Sequence, residues 1–238
     1  MTDVSTLIKG AKELGYEMGQ NEINQFIAYK ELLKEWNQRI NITSITDDVE
    51  IDIKHFIDSI TPIKTNLIDD GMRIIDIGTG GGFPGIPLKI MKKDLEVVLL
   101  DSTMKRISFL NEVIKSLGLS NITAIHGRAE DLGRDNNYRE KFDIAISRAV
   151  ASLNTLSEYC LPYVKVGGYF IAMKGSDIEE EIKEAKNGIK TLGGEIKDVK
   201  TFKLPLSDIN HSLIIIEKIK ETPTKYPRGG GKPKKKPL

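Results

Sequence analysis

The stretch Arg73-Ile-Ile-Asp76-Ile-Gly78-Thr-Gly80-Gly-Gly82-Phe83-Pro84-Gly85 constrains the fold more than any other in the chain. A short apolar run ends in an acid and then breaks into glycines at every second position. The run is continuous enough for a buried parallel strand, and Pro84 suits the first turn of a helix that follows. Glycines at 78, 80 and 82 let the backbone turn sharply and approach a ligand with no Cβ in the way. A strand, a glycine loop and a helix together predict an α/β unit with a ligand at the strand's carboxyl end.

Three readings of the loop stand side by side. Gly80-x-Gly82-x-x-Gly85 satisfies the dinucleotide pattern, a weak signal on its own. In that pattern the first glycine follows the strand directly, and here that glycine is Gly78, so Phe83 falls where close approach to a diphosphate is needed. A large ring there crowds a pyrophosphate but packs beside an adenine or a methionine chain. The spacing Asp-x-Gly-x-Gly-x-Gly matches the loop of S-adenosylmethionine-dependent methyltransferases, whose cofactor carries no phosphate. A merely structural glycine turn is the third reading.

From residue 73 onward strands and helices alternate, as in a parallel sheet covered on both faces. Strands are expected at 73–77, 96–101, 121–126, 141–147 and 168–174. Helices are expected from Pro84, over 105–117 and over 152–164. Ser176-Asp-Ile-Glu179 has capping-box spacing and predicts a charged helix to about Leu192. Two late strands, near 195–203 and 212–218, predict a closing antiparallel pair. Ahead of the sheet, Leu7, Ala11, Leu14 and Met18 recur at helical spacing, as do Ile23, Phe26, Ile27, Tyr29, Leu32, Leu33 and Trp36. The segment from His55 to Ile60 predicts a further helix that closes before Pro62. The expected organisation is a helical extension over 1–66, a doubly wound domain over 67–220 and a basic tail over 221–238.

The net charge of +1, from 35 basic and 34 acidic residues, hides an asymmetry. Residues 225–238 carry Lys225, Arg228, Lys232, Lys234, Lys235 and Lys236 and no acid, leaving 29 basic residues against 34 acids in the rest. Such a tail, rich in glycine and proline, is expected to be a mobile arm or a loop that orders on a polyanion. A solvated charge run that binds nothing is the bland alternative. The single cysteine, Cys160, excludes an intramolecular disulfide and fits a buried thiol in a cytoplasmic protein. No apolar run approaches the ~20 residues that span a bilayer, and Met1-Thr-Asp-Val opens no signal segment. The three histidines and one cysteine show no metal-ligand spacing, and a monomer is expected.

Ligands in an open parallel sheet lie at strand carboxyl ends, and each strand end here carries a polar group. Asp101 can accept hydrogen bonds from both ribose hydroxyls, or it can cap the helix that follows, a task also open to Ser102. The loop His126-Gly127-Arg128-Ala129-Glu130-Asp131 offers a backbone amide and an acceptor for an adenine edge, with either acid equally able to be a solvated loop charge. His126 fits a hydrogen-bonded structural role. Arg148 follows the fourth strand, where its fork suits a carboxylate, an RNA phosphate or a base, and Lys174 adds a cation on the same edge. No Asp/Asn-Pro-Pro-aromatic run follows that strand, which argues against an exocyclic amine as the acceptor. No Pro-Cys pair occurs there, which argues against cysteine-assisted carbon methylation.

The chain as a whole resembles the bacterial small-subunit ribosomal RNA guanine-N7 methyltransferases, the glucose-inhibited division protein B family. The matching pieces are Trp36-Asn37-x-x-Ile-Asn41-Ile-Thr43-Ser-Ile, His55-x-x-Asp58-Ser59, the glycine loop through Pro87-Leu, Gly127-Arg128-Ala129-Glu130, Ser147-Arg148-Ala149-Val and the closing Lys225-Tyr-Pro-Arg228. The glycine triplet Gly229–Gly231 departs from the family's more varied tail. The resemblance implies a class I methyltransferase fold, a Rossmann-like seven-stranded mostly parallel sheet with an N-terminal helical extension. It implies S-adenosylmethionine as cofactor, with Gly78, Phe83, Ala129, Glu130 and Arg148 lining its pocket beside Gly80, Gly82 and Asp101. It also implies methylation of guanine N7 in a loop of 16S rRNA, free or within the small ribosomal subunit. Guanine N7 carries a lone pair and no proton, so no general base is expected; Arg148 and Asn41 are the substrate-side candidates. Two other classes remain: a nicotinamide-linked oxidoreductase, and a non-catalytic RNA-binding assembly factor with a vestigial pocket.

Overall fold

The computed structural model describes residues 4–148 and 151–238. Ala149 and Val150, which belong to one of the motif pieces, lie outside the described residues. Seven strands form one sheet in the order β3-β2-β1-β4-β5-β7-β6. They are β1 (Arg73–Ile77), β2 (Glu96–Asp101), β3 (Ile122–His126), β4 (Phe142–Ser147), β5 (Val164–Lys174), β6 (Gly194–Lys203) and β7 (Asn210–Lys218). The first five run parallel, and β7 pairs antiparallel with both β5 and β6. The strand order reverses between β1 and β4, which makes their carboxyl ends the binding edge of this architecture.

Successive strand residues face opposite sides of the sheet, and both sides are apolar because helices cover both. Ile74, Val97, Leu99, Ile144 and Ile146 face one layer, and Ile75, Val98, Leu100 and Ala145 face the other. The first layer holds α1 (Ser5–Glu13), α2 (Gln20–Ile40), α5 (Gly85–Met91) and α6 (Met104–Ser116). Leu7, Phe26, Tyr29, Leu33 and Phe56 of the amino-terminal segment belong to that same continuous core. Between α2 and β1 the chain runs through α3 (Asp48–Ile51), a π-helical turn (Asp52–Ile57), α4 (Asp58–Ile60) and a 3-10 turn (Thr61–Thr65). The opposite layer holds α7 (Ala129–Leu132), α8 (Leu153–Cys160) and α9 (Glu179–Thr191).

Three local expectations need correction. Met18 is not part of α1, which stops at Glu13, where Gly15 at φ +89° turns the chain away. Ser176 does not cap α9: Ile178 holds the cap position with no side-chain bond, because burial of its apolar side chain fixes the entry. Glu179, Glu180 and Glu181 still place negative charge in the first turn, where the helix dipole favours it. Pro84 occupies the cap position before α5 rather than its first turn.

The basic tail is the larger correction. It is not a free arm but folds back along α8, ending in α10 (Lys232–Lys235). Arg228 forks onto the fully buried Glu158, with Nη2 2.6 Å from Oε2 and Nε 2.9 Å from Oε1. The Arg228 backbone N–H donates to the same carboxylate, Thr155 donates to the Pro233 carbonyl, and Arg134 to that of Pro227. Composition showed the lysines; it did not show that a buried acid across the fold would capture Arg228. Lys225, Lys232, Lys234, Lys235 and Lys236 stay exposed along the strap. Removing the partner of a buried charge strands that charge. Arg228→Ala should therefore cost about 3 kcal/mol in urea denaturation and speed tryptic cleavage within 225–236; unchanged values would mean that the pair holds nothing down.

Candidate functional site

The π-helical turn and the glycine loop meet at the carboxyl edge of the sheet. π turns are rare and concentrate at functional sites, since the extra residue re-aims side chains. Here the turn delivers His55, and Asp58 follows on α4. Arg148, directly after β4, reaches both. Its Nη1 donates to Asp58 Oδ2 at 2.7 Å and to the Lys54 carbonyl at 2.8 Å, and its Nη2 donates to His55 Nδ1 at 3.2 Å. The guanidinium also lies 5.0 Å from the centre of the Phe83 ring. A donor bonded to His55 Nδ1 leaves the ring proton on Nε2, which donates to Thr43 Oγ1 at 2.8 Å. Thr43 is held by Asn37, whose amide both accepts from and donates to its backbone.

Phe83 is nearly buried. His55 stacks on it with centroids 4.6 Å apart and planes 11° apart, and Tyr29 stacks at 5.5 Å. The Tyr29 hydroxyl donates to the Gly81 carbonyl, which fixes the crest of the loop from the amino-terminal layer. Gly82, at φ +96°, is where this contact requires glycine: a Cβ would meet Tyr29 Oη and Ile86 Cδ1, each at 2.6 Å. Gly80, at φ +60°, has open space in the same direction. Beneath the loop, buried Asp76 accepts from Thr79 Oγ1 at 2.6 Å and from the Gly85 N–H at 2.9 Å. Gly82→Ala should thus lower the melting temperature more than Gly80→Ala by scanning calorimetry; equal losses would show that only the shared positive φ matters.

Three cavities open along this edge. The first, about 350 Å³, is lined by Gly78, Asp101, Ala129 and Glu130, with Ile77, Leu100 and Leu156 as apolar walls. The second, about 330 Å³, is lined by Gly78, Gly80, Phe83, Arg148, His55 and Thr43. The third, about 520 Å³, lies under the ends of β5 and β7 and shares Arg148 with the second. The cofactor candidates other than Gly82 thus divide between two cavities that meet at Gly78. Gly82 lines neither. Asn41 takes a left-handed conformation at the end of α2, where its N–H bonds to Asn37, and its side chain is exposed.

Asp101 does both of its expected jobs in part. Oδ1 accepts from the Thr103 N–H at 2.8 Å at the start of α6, and Oδ2 accepts from the Gly80 N–H at 3.0 Å. Arg106 adds a contact to Oδ2 at 3.2 Å. Glu130 accepts from the N–H of Gly231 on the tail at 3.2 Å, so the strap reaches the rim of the first cavity. Tyr163 donates to the Ala129 carbonyl at 2.7 Å. Lys174 turns to the Ala151 carbonyl and to Glu181, and His126 contacts the Ser102 carbonyl. Of the residues gathered here, His55, Asp58, Thr43 and Asn37 carried no assigned role in the sequence. Their one signal was membership of motif pieces around an i, i+3 pair on a helix.

The comparisons with known proteins follow this geometry. The sequence profile of the GidB family, described as rRNA small subunit methyltransferase G, matches residues 22–211. The chain belongs to this family. It is a methyltransferase. A ribosomal RNA small subunit methyltransferase G of Acetivibrio thermocellus is 55% identical over 232 residues, 98% of this chain and 95% of that relative. Another, of Alkaliphilus metalliredigens, is 51% identical over 229 residues, 96% of each chain. Among solved structures, the M. jannaschii TYW2 complex with AdoMet superposes with a TM-score of 0.52 at 19% identity, covering 68% of this chain and 77% of that one. That likeness establishes the class I methyltransferase fold. Among the described residues no helix is long and apolar enough to cross a membrane.

The charges of this rRNA methyltransferase G fold follow from burial. Burial, reinforced by Arg148, lowers the His55 pKa to about 4. The neutral ring is therefore the resident form at pH 7, consistent with its accepting from Arg148. Burial raises the Asp76 pKa to about 6 despite the bonds from Thr79 and Gly85. Burial pushes Asp58 up too, but His211 and Arg148 outweigh it and hold the carboxyl low. For His55 the unfolded chain binds more protons than the native one between about pH 4 and 6.5, so its contribution is intact above that window and lost as pH falls through it. The stability gap between wild type and His55→Gln should narrow by up to about 3 kcal/mol on acidification across that range, measured by urea denaturation at stepped pH. A gap independent of pH would mean that His55 titrates normally.

Proposed function

We propose that this protein transfers the methyl group of S-adenosylmethionine to N7 of a guanosine in a loop of 16S rRNA. The carrying observation is the pair of cavities meeting at Gly78: one has a carboxylate and a flat apolar slot, the other ends against Arg148. The first cavity suits the adenosine half. Ile77, Leu100 and Leu156 would flank a flat ring, Asp101 would accept from the ribose hydroxyls, and Glu130 with the Ala129 backbone amide would meet the adenine edge. A carboxylate with two backbone donors already in place keeps lone pairs free for such bonds. Gly78 and Gly80 would let the methionine half pass into the second cavity. When bound, the cofactor supplies a methyl group already activated by the positive sulfur.

Guanine N7 attacks through a lone pair in the plane of the ring, so no side chain has to remove a proton or polarise the nucleophile. The protein's task is to hold lone pair, methyl carbon and sulfur in line, and positioning of that kind accounts for much of the achievable acceleration. Positive charge arrives on the purine as the methyl moves. A free guanidinium beside it would oppose transfer. Arg148 is suited to this site because its charge faces Asp58 and its donors are taken by Asp58, Lys54 and His55. The exposed lysines of the strap would contact phosphates without regard to sequence. One copy of the chain supplies every residue lining the cavities, so the reading is of a monomer, acting in the cytoplasm where its RNA is.

The test is transfer of labelled methyl to 16S rRNA and to intact small subunits by wild type and Gly80→Arg, mapped by borohydride–aniline cleavage at 7-methylguanosine. A single cut in the wild-type reaction, absent with the variant, is the expected result. Incorporation without a cut would move the target atom. Absence of incorporation despite cofactor binding would favour an assembly factor.

A further inference from the structure

Beyond Arg148 the edge continues into the third cavity, whose walls include Asp58, Met173, Lys174, Glu181 and His211. It opens at the ends of β4 and β5, next to the cavity that would hold the cofactor's reactive end, with Arg148 as the common wall. At about 520 Å³ it is large enough for one extruded nucleotide, and enzymes that modify a base draw it out of the stack into such a pocket.

One wall residue lacks a partner. His211, at the start of β7, is 7% exposed. Its Nδ1 lies 2.9 Å from Asp58 Oδ1, and its Nε2 is buried with no hydrogen-bond partner among the described residues. A buried polar atom left unmatched in the wall of a cavity needs a complement, and an occupant of that cavity can supply it. The Asp58 carboxylate beside Nδ1 places the ring proton there, so the neutral ring presents Nε2 as an acceptor. Guanine carries donors on its Watson–Crick edge, N1–H and N2–H2, on the side of the ring system away from N7. An acceptor is thus the group that reads guanine in a pocket where N7 must face the methyl donor. Adenine carries no proton at N1 and no 2-amino group.

We infer that this third cavity is the pocket for the target guanine and that His211 Nε2, oriented by Asp58, accepts a hydrogen bond from its Watson–Crick edge. The inference rests on the methyltransferase reading above and adds to it the residue that selects the base. Asp58 acts here through His211 and is a positioning residue. It links base recognition to Arg148, since its two carboxylate oxygens face the two side chains.

The test uses the full chain with rRNA carrying guanosine, inosine or 2-aminopurine nucleoside at the mapped target, at pH 8. Inosine lacks the 2-amino donor, and 2-aminopurine lacks the N1 proton. His211→Asn keeps a donor toward Asp58 and removes Nε2. The expected outcome has three parts. Wild type loses roughly 10-fold in kcat/KM on at least one replacement, the scale set by one hydrogen bond to a buried acceptor. His211→Asn loses a similar factor on guanosine RNA and shows no further loss on that replacement. Its S-adenosylmethionine affinity and melting temperature stay at the wild-type values. A variant that still discriminates as wild type does would overturn the inference, as would a loss explained by weaker cofactor binding. Should the variant fail to fold, the imidazole nitrogen resonances of His211 in the wild-type protein decide: they should move on adding RNA at concentrations that saturate methylation, and unmoved resonances would overturn it. Failure of the methyltransferase reading is distinct, because wild type would then methylate none of the three RNAs.

Discussion

Arg148 holds the two halves of the site in register. Its guanidinium leaves the end of β4 and ties into the π-helical turn and α4 through Lys54, His55 and Asp58, while resting over Phe83 of the glycine loop. Three segments distant in sequence thereby share one charged fork. A rigid planar cation with fixed donor directions can do this, and a lysine with one point of charge cannot. The layer of amino-terminal helices is consequently part of the site and not a cover for it. Tyr29 grips the loop, Phe83 stacks between layers, and the cavity walls on both sides of Arg148 depend on where that fork sits.

Two kinds of information decided how far the residues could be read in advance. Periodicity carried the sheet: apolar runs at 73–77 and 96–101 became β1 and β2 at those bounds, and the late antiparallel pair closed the sheet as expected. Strand spacing is a property of neighbours in the chain, so local pattern suffices for it. Asp101, Glu130 and Gly78 were visible because the architecture itself puts strand ends at the binding edge. The reading missed what depends on distant partners. Nothing around Arg228 says that Glu158 lies buried opposite, and nothing near Ser176 says that burying Ile178 will set the helix entry. Asn41 illustrates a third case, in which a motif residue turns out to shape the backbone while its neighbours Asn37 and Thr43 hold His55.

The buried acids show how one residue type serves different ends. Asp76 has backbone and hydroxyl donors but no cation bonded to it, and burial raises its pKa. Asp58 is nearly as deep, yet a guanidinium and an imidazole face its two oxygens and keep it charged. Glu158 is completely enclosed and faces an arginine delivered from the far end of the chain. Polar groups at such depth survive only where their partners are supplied by the fold, so each marks a place where remote segments must arrive together.

The clasp between Gly231 and Glu130 bears on how the protein is made. A chain emerging from the ribosome would present the glycine loop, Asp101 and Glu130 long before residues 228–238. The rim of the adenosine cavity and the packing on α8 are finished only by those last residues. Closure of the cofactor site is therefore a late event in synthesis. An enzyme whose substrate is ribosomal RNA completes its own binding site only as it leaves the ribosome.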